Sequence, residues 1–437
     1  MMFQIVGAKA LRGKRTAMLV ATTGLAIMLG AASAMADTTV KWLHLELDPG
    51  YVAIWRKIAD TYETQHPGVK IQMQFLENEA FKAKLPTLLQ SSDAPDFFYS
   101  WGGGVLKQQM ATGALLDLTA AMKANDGAWL KSFNPAAVEG LTFDGKISAV
   151  PFKLGTVSFY YNKALFAKAG VDATAIKSWE DYLAAVKKIK AAGIVPIAGG
   201  GGEKWPIHFY WSYLVMRDGG QKVFDAAKTG QGEGFNDPAV IKAGEQLADL
   251  GKLEPFQPGY LGATWPQTLG VFADGKAAMI LGFENTESNQ RTNAGDGKGL
   301  ASDNIGRFAF PAVTGGAGAA TDTLGGLNAW AVSKKAPPEA LDFLAYLNNA
   351  DNQRVMAKAG MIIPVAVGAE DGVTNPLMRQ SAEQLAHTTW HQNFFDQDLG
   401  PSVGRVVNDV SVGIVSGQLT PKDGAAQIQE AFEQDQL

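Results

Sequence analysis

The stretch that most restricts the fold is residues 143–170, FDGKISAVPFKLGTVSFYYNKALFAKAG. Its Asp144-Gly145 pair suits the positive-φ positions of a tight hairpin turn. Ile147, Ala149 and Pro151 then alternate with smaller or polar residues, and the nearly unbroken apolar run 157–161 follows, as in a strand buried on both faces. Lys153 and Gly155 lie between the two runs. After Asn162-Lys163 a short amphipathic helix carries Leu165 and Phe166 and closes at Gly170. A strand that halts at Pro, Lys and Gly and then resumes passes from one body to another. The stretch therefore predicts a hinge in a two-lobed binding protein.

The N-terminus predicts export. Lys9, Arg12, Lys14 and Arg15 form a basic region, residues 17–29 an apolar run, and Ala34-Met35-Ala36 a small-x-small cleavage pattern. Thirteen apolar residues at ~1.5 Å each are too short for ~30 Å of hydrocarbon. Residues 1–36 are thus expected to be a cleaved signal peptide, with Asp37 the first mature residue. Removing its four basic residues from the 38 Lys and Arg leaves 34 against 43 acidic residues, a net charge of −9. That balance argues against a nucleic-acid partner and against an anionic membrane surface. Cysteine is absent, which excludes disulfides, thiolate metal sites, a Cys nucleophile and a lipid-attachment Cys. The reading is a free periplasmic protein, not membrane-inserted and monomeric.

Along the chain, residues 39–45 read as a strand, 51–62 as a helix stopped by Pro67-Gly68, and 69–75 as a strictly alternating strand. A helix at 80–90, kinked at Pro86, leads to a short buried strand at 97–99. This β-α-β-α-β order predicts an α/β fold with mainly parallel sheets flanked by helices. Ligands bind beyond the carboxyl ends of such strands, here 44–48, 76–79 and 101–104. A second α/β unit follows: a capping box at Ser178-Trp179-Glu180-Asp181 opens a helix, 194–198 is a strand, 237–250 a helix, 324–332 a strand, and 337–360 a helix. Residues 362–365 read as another extended crossing, and helices close the chain, the last at 421–432.

Several blocks together resemble an extracellular solute-binding protein of the maltose-binding type, the family that serves sugar-importing ABC transporters. The tightest is residues 151–168, with Phe159-Tyr160-Tyr161-Asn162 followed by Phe166 and Lys168; Lys153 departs from the small or polar residue usual at its place. Ala94-Pro95-Asp96-Phe97-Phe98, the block 272–279 (FADGKAAM), and Asp396-Gln397 followed by Gly417 and Pro421 agree in the same order. The resemblance implies two lobes, residues 37–151 plus 328–362 and residues 156–324 plus 365–437. Three crossovers would fall near 152–155, 325–327 and 363–365. It also implies a carbohydrate ligand, permease subunits as partners, no cofactor and no catalysis.

A polyhydroxylated ligand stacks its C–H faces on aromatic rings and engages its hydroxyls with polar groups around the rim. Eight of the ten tryptophans divide by context. Trp101, at a strand's carboxyl end, Trp205 and Trp265, each before a proline, and Trp390, heading the C-terminal helices, are candidate platforms. Trp55, Trp129, Trp179 and Trp330 read as core. The polar candidates are His44, Glu46, Asn78, Glu79, Lys153, His208, Glu284, Asn285, Asn328 and Asp396. Carboxylates among them would accept strong, charge-assisted bonds. Gly102–Gly104 and Gly199–Gly202 lack the spacing of phosphate loops and read as exposed turns beside a ligand. The five histidines show no metal-ligand spacing.

Two rival readings remain at this stage. One is a secreted carbohydrate-active enzyme using a carboxylate pair such as Glu46 and Glu284. The other keeps the fold and changes the ligand to a metal, polyamine or anion, with Lys153 leaving room for an acidic sugar.

Overall fold

Val69 and Ile71 alternate with Lys70 and Gln72, and they bury one face of a strand. In a computed structural model, which describes residues 37–436, that strand is β2 (Val69–Phe75) and pairs in parallel with β1 (Thr38–His44). The expected leader at residues 1–36 lies outside the described residues. Between β1 and β2 runs the helix Pro49–Gln65, capped by Asp48, whose side chain accepts from the Gly50 and Tyr51 N–H groups. The helix Asn78–Gln90 keeps Pro86 inside it and leads to β3 (Phe97–Ser100), every residue of which is buried.

The hairpin expected at Asp144-Gly145 is present. β4 (Thr142–Phe143) and β5 (Lys146–Ile147) pair across it, with φ of 50° at Asp144 and 75° at Gly145. β6 (Ala149–Leu154) and β7 (Val157–Asn162) then belong to different sheets. β6 sits in a six-stranded sheet with β12 (Leu327–Val332) and β13 (Ile363–Pro364), in the order β13-β6-β12-β3-β1-β2. β7 sits in a four-stranded sheet with β8 (Ile197–Ala198), β9 (Met279–Phe283) and β10 (Ile305–Phe308), in the order β10-β7-β9-β8. Among the described residues β11 (Thr323–Gly325) pairs only with β14 (His391–Asn393).

The α/β, two-lobed class is as expected, but the pairing within each sheet is mixed. Mainly parallel pairing holds for β1, β2 and β3 and for β8 with β9. β12 runs antiparallel to β3 and β6, β13 to β6, and β7 to both β9 and β10. The antiparallel strands are those joined to the crossings, which return the chain in the opposite sense.

Other differences have local causes. The single strand expected at 324–332 breaks at Gly326 because its two halves serve different sheets. The helix expected through 337–360 is two helices, Pro338–Leu347 and Ala350–Lys358. Asn349 starts the second by accepting from the Asn352 N–H. At 194–198 only Ile197 and Ala198 pair in the ladder, since Pro196 has no N–H to donate.

Each sheet has its own aromatic core. In the six-stranded sheet Trp42 packs on Trp55 (4.9 Å between ring centroids) and Trp330 (5.3 Å), and Phe152 lies 4.9 Å from Trp330. In the four-stranded sheet Phe159 packs on Tyr182 (4.7 Å), and Tyr213 stacks on Phe310 (4.5 Å). Among the described residues, no helix is long and apolar enough to cross a membrane.

The crossings touch one another. Gly155 N–H donates to Gly326 O at 2.9 Å, and a Cβ on Gly325 would sit 1.8 Å from the Gly155 carbonyl oxygen. No side chain fits there, so two of the three passages run backbone against backbone.

Candidate functional site

The segments following β1, β3 and β9, together with the β6–β7 passage, converge on one cavity of about 340 Å³. This is the carboxyl-end placement that open α/β sheets favour. On the six-stranded side it is lined by Glu46, Asp48, Glu77, Tyr99 and Trp101, and on the four-stranded side by Glu203, Trp205, His208, Trp265, Phe283 and Glu284. Lys153 and Asn328, on adjacent strands of the six-stranded sheet, lie at its floor.

One wall is aromatic. Trp205 lies 5.2 Å from Trp265 and stacks at 5.7 Å on Phe283, and Phe283 is 5.8 Å from Phe394. Trp205 and Trp265 begin the helices Trp205–Lys228 and Trp265–Ala273, each with Pro in its first turn, where a missing N–H costs nothing. Opposite, Trp101 is held edge-on by Phe81 (5.6 Å) and Tyr99 (5.5 Å), with Lys82 Nζ 5.6 Å above its ring.

The floor is charged. Lys153 Nζ donates to Glu284 Oε1 at 3.2 Å, and the Thr156 N–H donates to Glu284 Oε2 at 3.2 Å. Glu284 is buried and presses on Gly155, where an added Cβ would lie 2.9 Å from its Oε2. Glu46 Oε1 accepts from the Asp48 N–H at 2.9 Å. Burial raises the Glu46 pKa, against the lowering effects of that N–H and of Lys153. Tyr99 is pushed well above its ordinary value by burial, with the charges of Glu46 and Glu284 adding to it.

At the aromatic wall Glu203 Oε2 accepts from the Trp265 N–H at 2.6 Å, and its carboxyl is pushed up to about 7 by burial, with the neighbouring Glu77 adding. Glu77 caps its helix through Oε2, which accepts from the Glu79 and Ala80 N–H groups; its Oε1 is buried and accepts no hydrogen bond from the described residues. His208 Nδ1 lies 2.6 Å from Trp205 O and so carries the proton, which leaves Nε2 as an acceptor 3.5 Å from Asp396 Oδ1. Burial lowers the His208 pKa, against the raising effect of Asp396.

The cavity thus gathers eleven of the fourteen sequence candidates: Glu46, Asn78, Trp101, Lys153, Trp205, His208, Trp265, Glu284, Asn285, Asn328 and Asp396. Three lie elsewhere. His44 is packed among Trp42, Trp55 and Phe75, because the last residue of β1 turns its side chain into the sheet's core; burial there holds it down to about 4. Glu79 points to solvent and pairs with Lys82 at 3.0 Å. Trp390 packs on Phe224 at 5.3 Å, and its carbonyl accepts from the Thr323 N–H beside the β11–β14 pair.

Sequence reasoning missed Glu77, Glu203, Asp48, Tyr99, Phe283 and Phe394. The first could have been found, since it ends the β2 loop already marked as a carboxyl end, and Glu203 follows the glycine run. Phe283 and Phe394 carry no local signal. The glycine runs also differ from expectation. Gly199–Gly201 are buried under Phe256, Thr268 and the 260–263 turn, and Gly102–Gly104 press against Asn393 and Asp398.

The model of the bacterial extracellular solute-binding protein family matches residues 48–354. The chain belongs to this family. A solved structure from work on xylan utilization by Caldanaerobius polysaccharolyticus superposes with a TM-score of 0.83 at 26% identity, covering 90% of this chain and 99% of that one. The diacetylchitobiose binding protein of Streptomyces coelicolor is 27% identical over 378 residues, 83% of this chain and 82% of that protein. An uncharacterized ABC transporter extracellular-binding protein of Pyrococcus horikoshii is 25% identical over 232 residues, 51% of this chain; the chain spans about half of that relative's length. In this solute-binding protein the matched region runs from the Asp48 cap at the cavity to the helix Ala350–Lys358. It contains Trp101, Trp205, Trp265 and Phe283 and the Lys153–Glu284 pair, and it leaves Glu46 before it and Phe394 and Asp396 after it.

Proposed function

We propose that the protein is the substrate-binding component of a carbohydrate ABC importer, acting in the periplasm after removal of its leader. It closes on a mono- or oligosaccharide and delivers it to permease subunits in the membrane. The observation that carries this reading is the cavity itself: aromatic faces on both walls, hydrogen-bonding groups between them, and a volume at the small end of the ligand-pocket range. Relatives named for sugar binding support it. The lobes would be residues 37–151 plus 328–362 and residues 156–324 plus 365–437, turning on the passages near 152–155, 325–327 and 363–365. Short extended segments with glycine absorb the φ/ψ changes of such closure. The protein works as a monomer, which light scattering of the purified chain would check.

Ligand closure should change tryptophan fluorescence saturably and raise the melting temperature. If no sugar in a broad mono- and disaccharide panel does either, the reading fails. The rival enzymatic reading is disfavoured by Lys153, which neutralises Glu284 rather than leaving it as a free acid or nucleophile. Mass spectrometry of an oligosaccharide incubated with the protein should recover it intact; fragments would restore the enzyme.

A further inference from the structure

The cavity holds more carboxyl groups than a neutral ligand requires. Six carboxylates line it, namely Glu46, Asp48, Glu77, Glu203, Glu284 and Asp396, against the ammonium groups of Lys82 and Lys153. Lys153 is committed to Glu284 and Lys82 to Glu79, outside the cavity. Asp48 is committed to its helix cap and to Thr292 Oγ1 at 3.2 Å, and Asp396 accepts from Gln397 and Asn408. Three carboxylates, Glu46, Glu77 and Glu203, therefore have backbone N–H groups as their hydrogen-bonding donors and no ion pair among the described residues.

Glu77 and Glu203 are the telling pair. They come from opposite sides of the cavity, and as two carboxyls side by side they need a proton or another cation between them. Beside them stand the faces of Trp205 and Trp265, which attract a cation by their ring quadrupoles. His208 adds an independent sign: a fully buried side chain lining the same cavity, whose Nε2, 3.5 Å from Asp396 Oδ1, takes no hydrogen bond from the described residues. The protein thus presents acceptors, negative charge and aromatic faces together, and a donor-rich cation complements all three.

We propose that the preferred ligand is an amine-bearing carbohydrate, an amino sugar with a free ammonium group, bound with that group between Glu77 and Glu203 against the Trp205–Trp265 wall. The proposal rests on the carbohydrate reading and specifies its chemical class. An ammonium there supplies a donor to Glu77 Oε1, which has none among the described residues, and ties the two sides of the cavity together. An N-acetylated amine would be neutral and bulkier at the same place.

Isothermal titration calorimetry at low salt and about pH 7, where Glu203 itself titrates, tests it with three probes: the β-1,4 disaccharide of glucosamine, its N,N′-diacetyl counterpart, and cellobiose. The free amine should bind at least about tenfold tighter than either neutral sugar. Glu203→Gln and Glu77→Gln should each remove most of that preference, bringing the free amine down to the affinity of the neutral sugars in the same variant, with thermal melts showing both variants folded. Equal or tighter binding of cellobiose or the diacetylated sugar overturns the amine assignment and leaves the carbohydrate reading standing. Preference for the amine that persists in both variants also overturns it. Failure of all three probes, extended to the wider sugar panel, sinks both.

Discussion

Arg217 shows how much one residue can hold. It is fully buried, forms no ion pair with a carboxylate among the described residues, and donates to five carbonyls, those of Phe310, Pro311, Ala319, Ala320 and Asp322, at 2.8–3.2 Å, while its guanidinium lies 5.1 Å from the Tyr213 ring. Truncation to Met leaves several buried acceptors without donors, at about 1–3 kcal/mol each. Arg217→Met should lower unfolding free energy by about 3 kcal/mol or more in urea melts. Arg217→Lys should recover little, because an ammonium cannot reproduce the planar fork. Buried titratable groups make a second prediction. His44 and His391 are held down to about 4 by burial, below their ordinary 6.5. The folded state therefore binds fewer protons than the unfolded chain between about pH 4 and 6.5, and stability is lost as pH falls through that window. Glu203, raised by burial and by the charges of Glu77 and Glu79 to about 7 against an ordinary 4.5, acts oppositely: stability falls as pH rises from 4.5 to 7. Calorimetric melting temperatures should thus still fall between pH 6.5 and 7, and Glu203→Gln should flatten that fall. His44→Gln should make the loss on acidification less steep.

Elements were legible wherever local chemistry set their ends. Ser178 and Asp181 form the expected capping box, each side chain accepting from the other's backbone N–H, and the helix Trp179–Ala191 starts there. Ser178→Ala should cost about 1 kcal/mol and leave any ligand affinity unchanged. β2 and the Asp144-Gly145 hairpin were equally plain, because alternation and positive φ are written in adjacent residues. Strand direction was not, since whether β12 runs with or against β3 depends on where the chain re-enters the sheet. At the aromatic wall, Trp205→Ala and Trp265→Ala should each weaken carbohydrate binding about tenfold or more by titration fluorescence. Trp390→Phe, remote from the cavity, should leave affinity unchanged. Equal losses at all three positions would show a general packing effect instead.

At the scale of the whole molecule the two sides of the cavity touch at both ends. Tyr51 Oη lies 2.7 Å from Ser288 Oγ, and Thr292 Oγ1 reaches Asp48; at the other end Asn393 Nδ2 donates to Trp101 O at 2.9 Å. Gly104 permits the second contact, since a Cβ there would lie 2.5 Å from the Asp398 carbonyl oxygen and 2.7 Å from the Gly400 nitrogen. Gly104→Val should hold the halves apart. Small-angle scattering would show a larger radius of gyration, and ligand affinity would drop while the protein stays folded. Unchanged scattering and affinity would dismiss this contact as part of closure. By itself, the amino-acid sequence determined the α/β class, the two-body plan and the tendency of tryptophans to sit beside Pro and Gly at strand and helix ends. Those properties follow from periodicity, turn chemistry and capping within a few residues. Only the tertiary structure decided that Trp101, Trp205 and Trp265 share a cavity while Trp390 and His44 do not, and that Glu77 meets Glu203. Such neighbours come from segments far apart in the chain, and their burial and charge exist only once both sheets have packed and the crossings have set the sheets against each other.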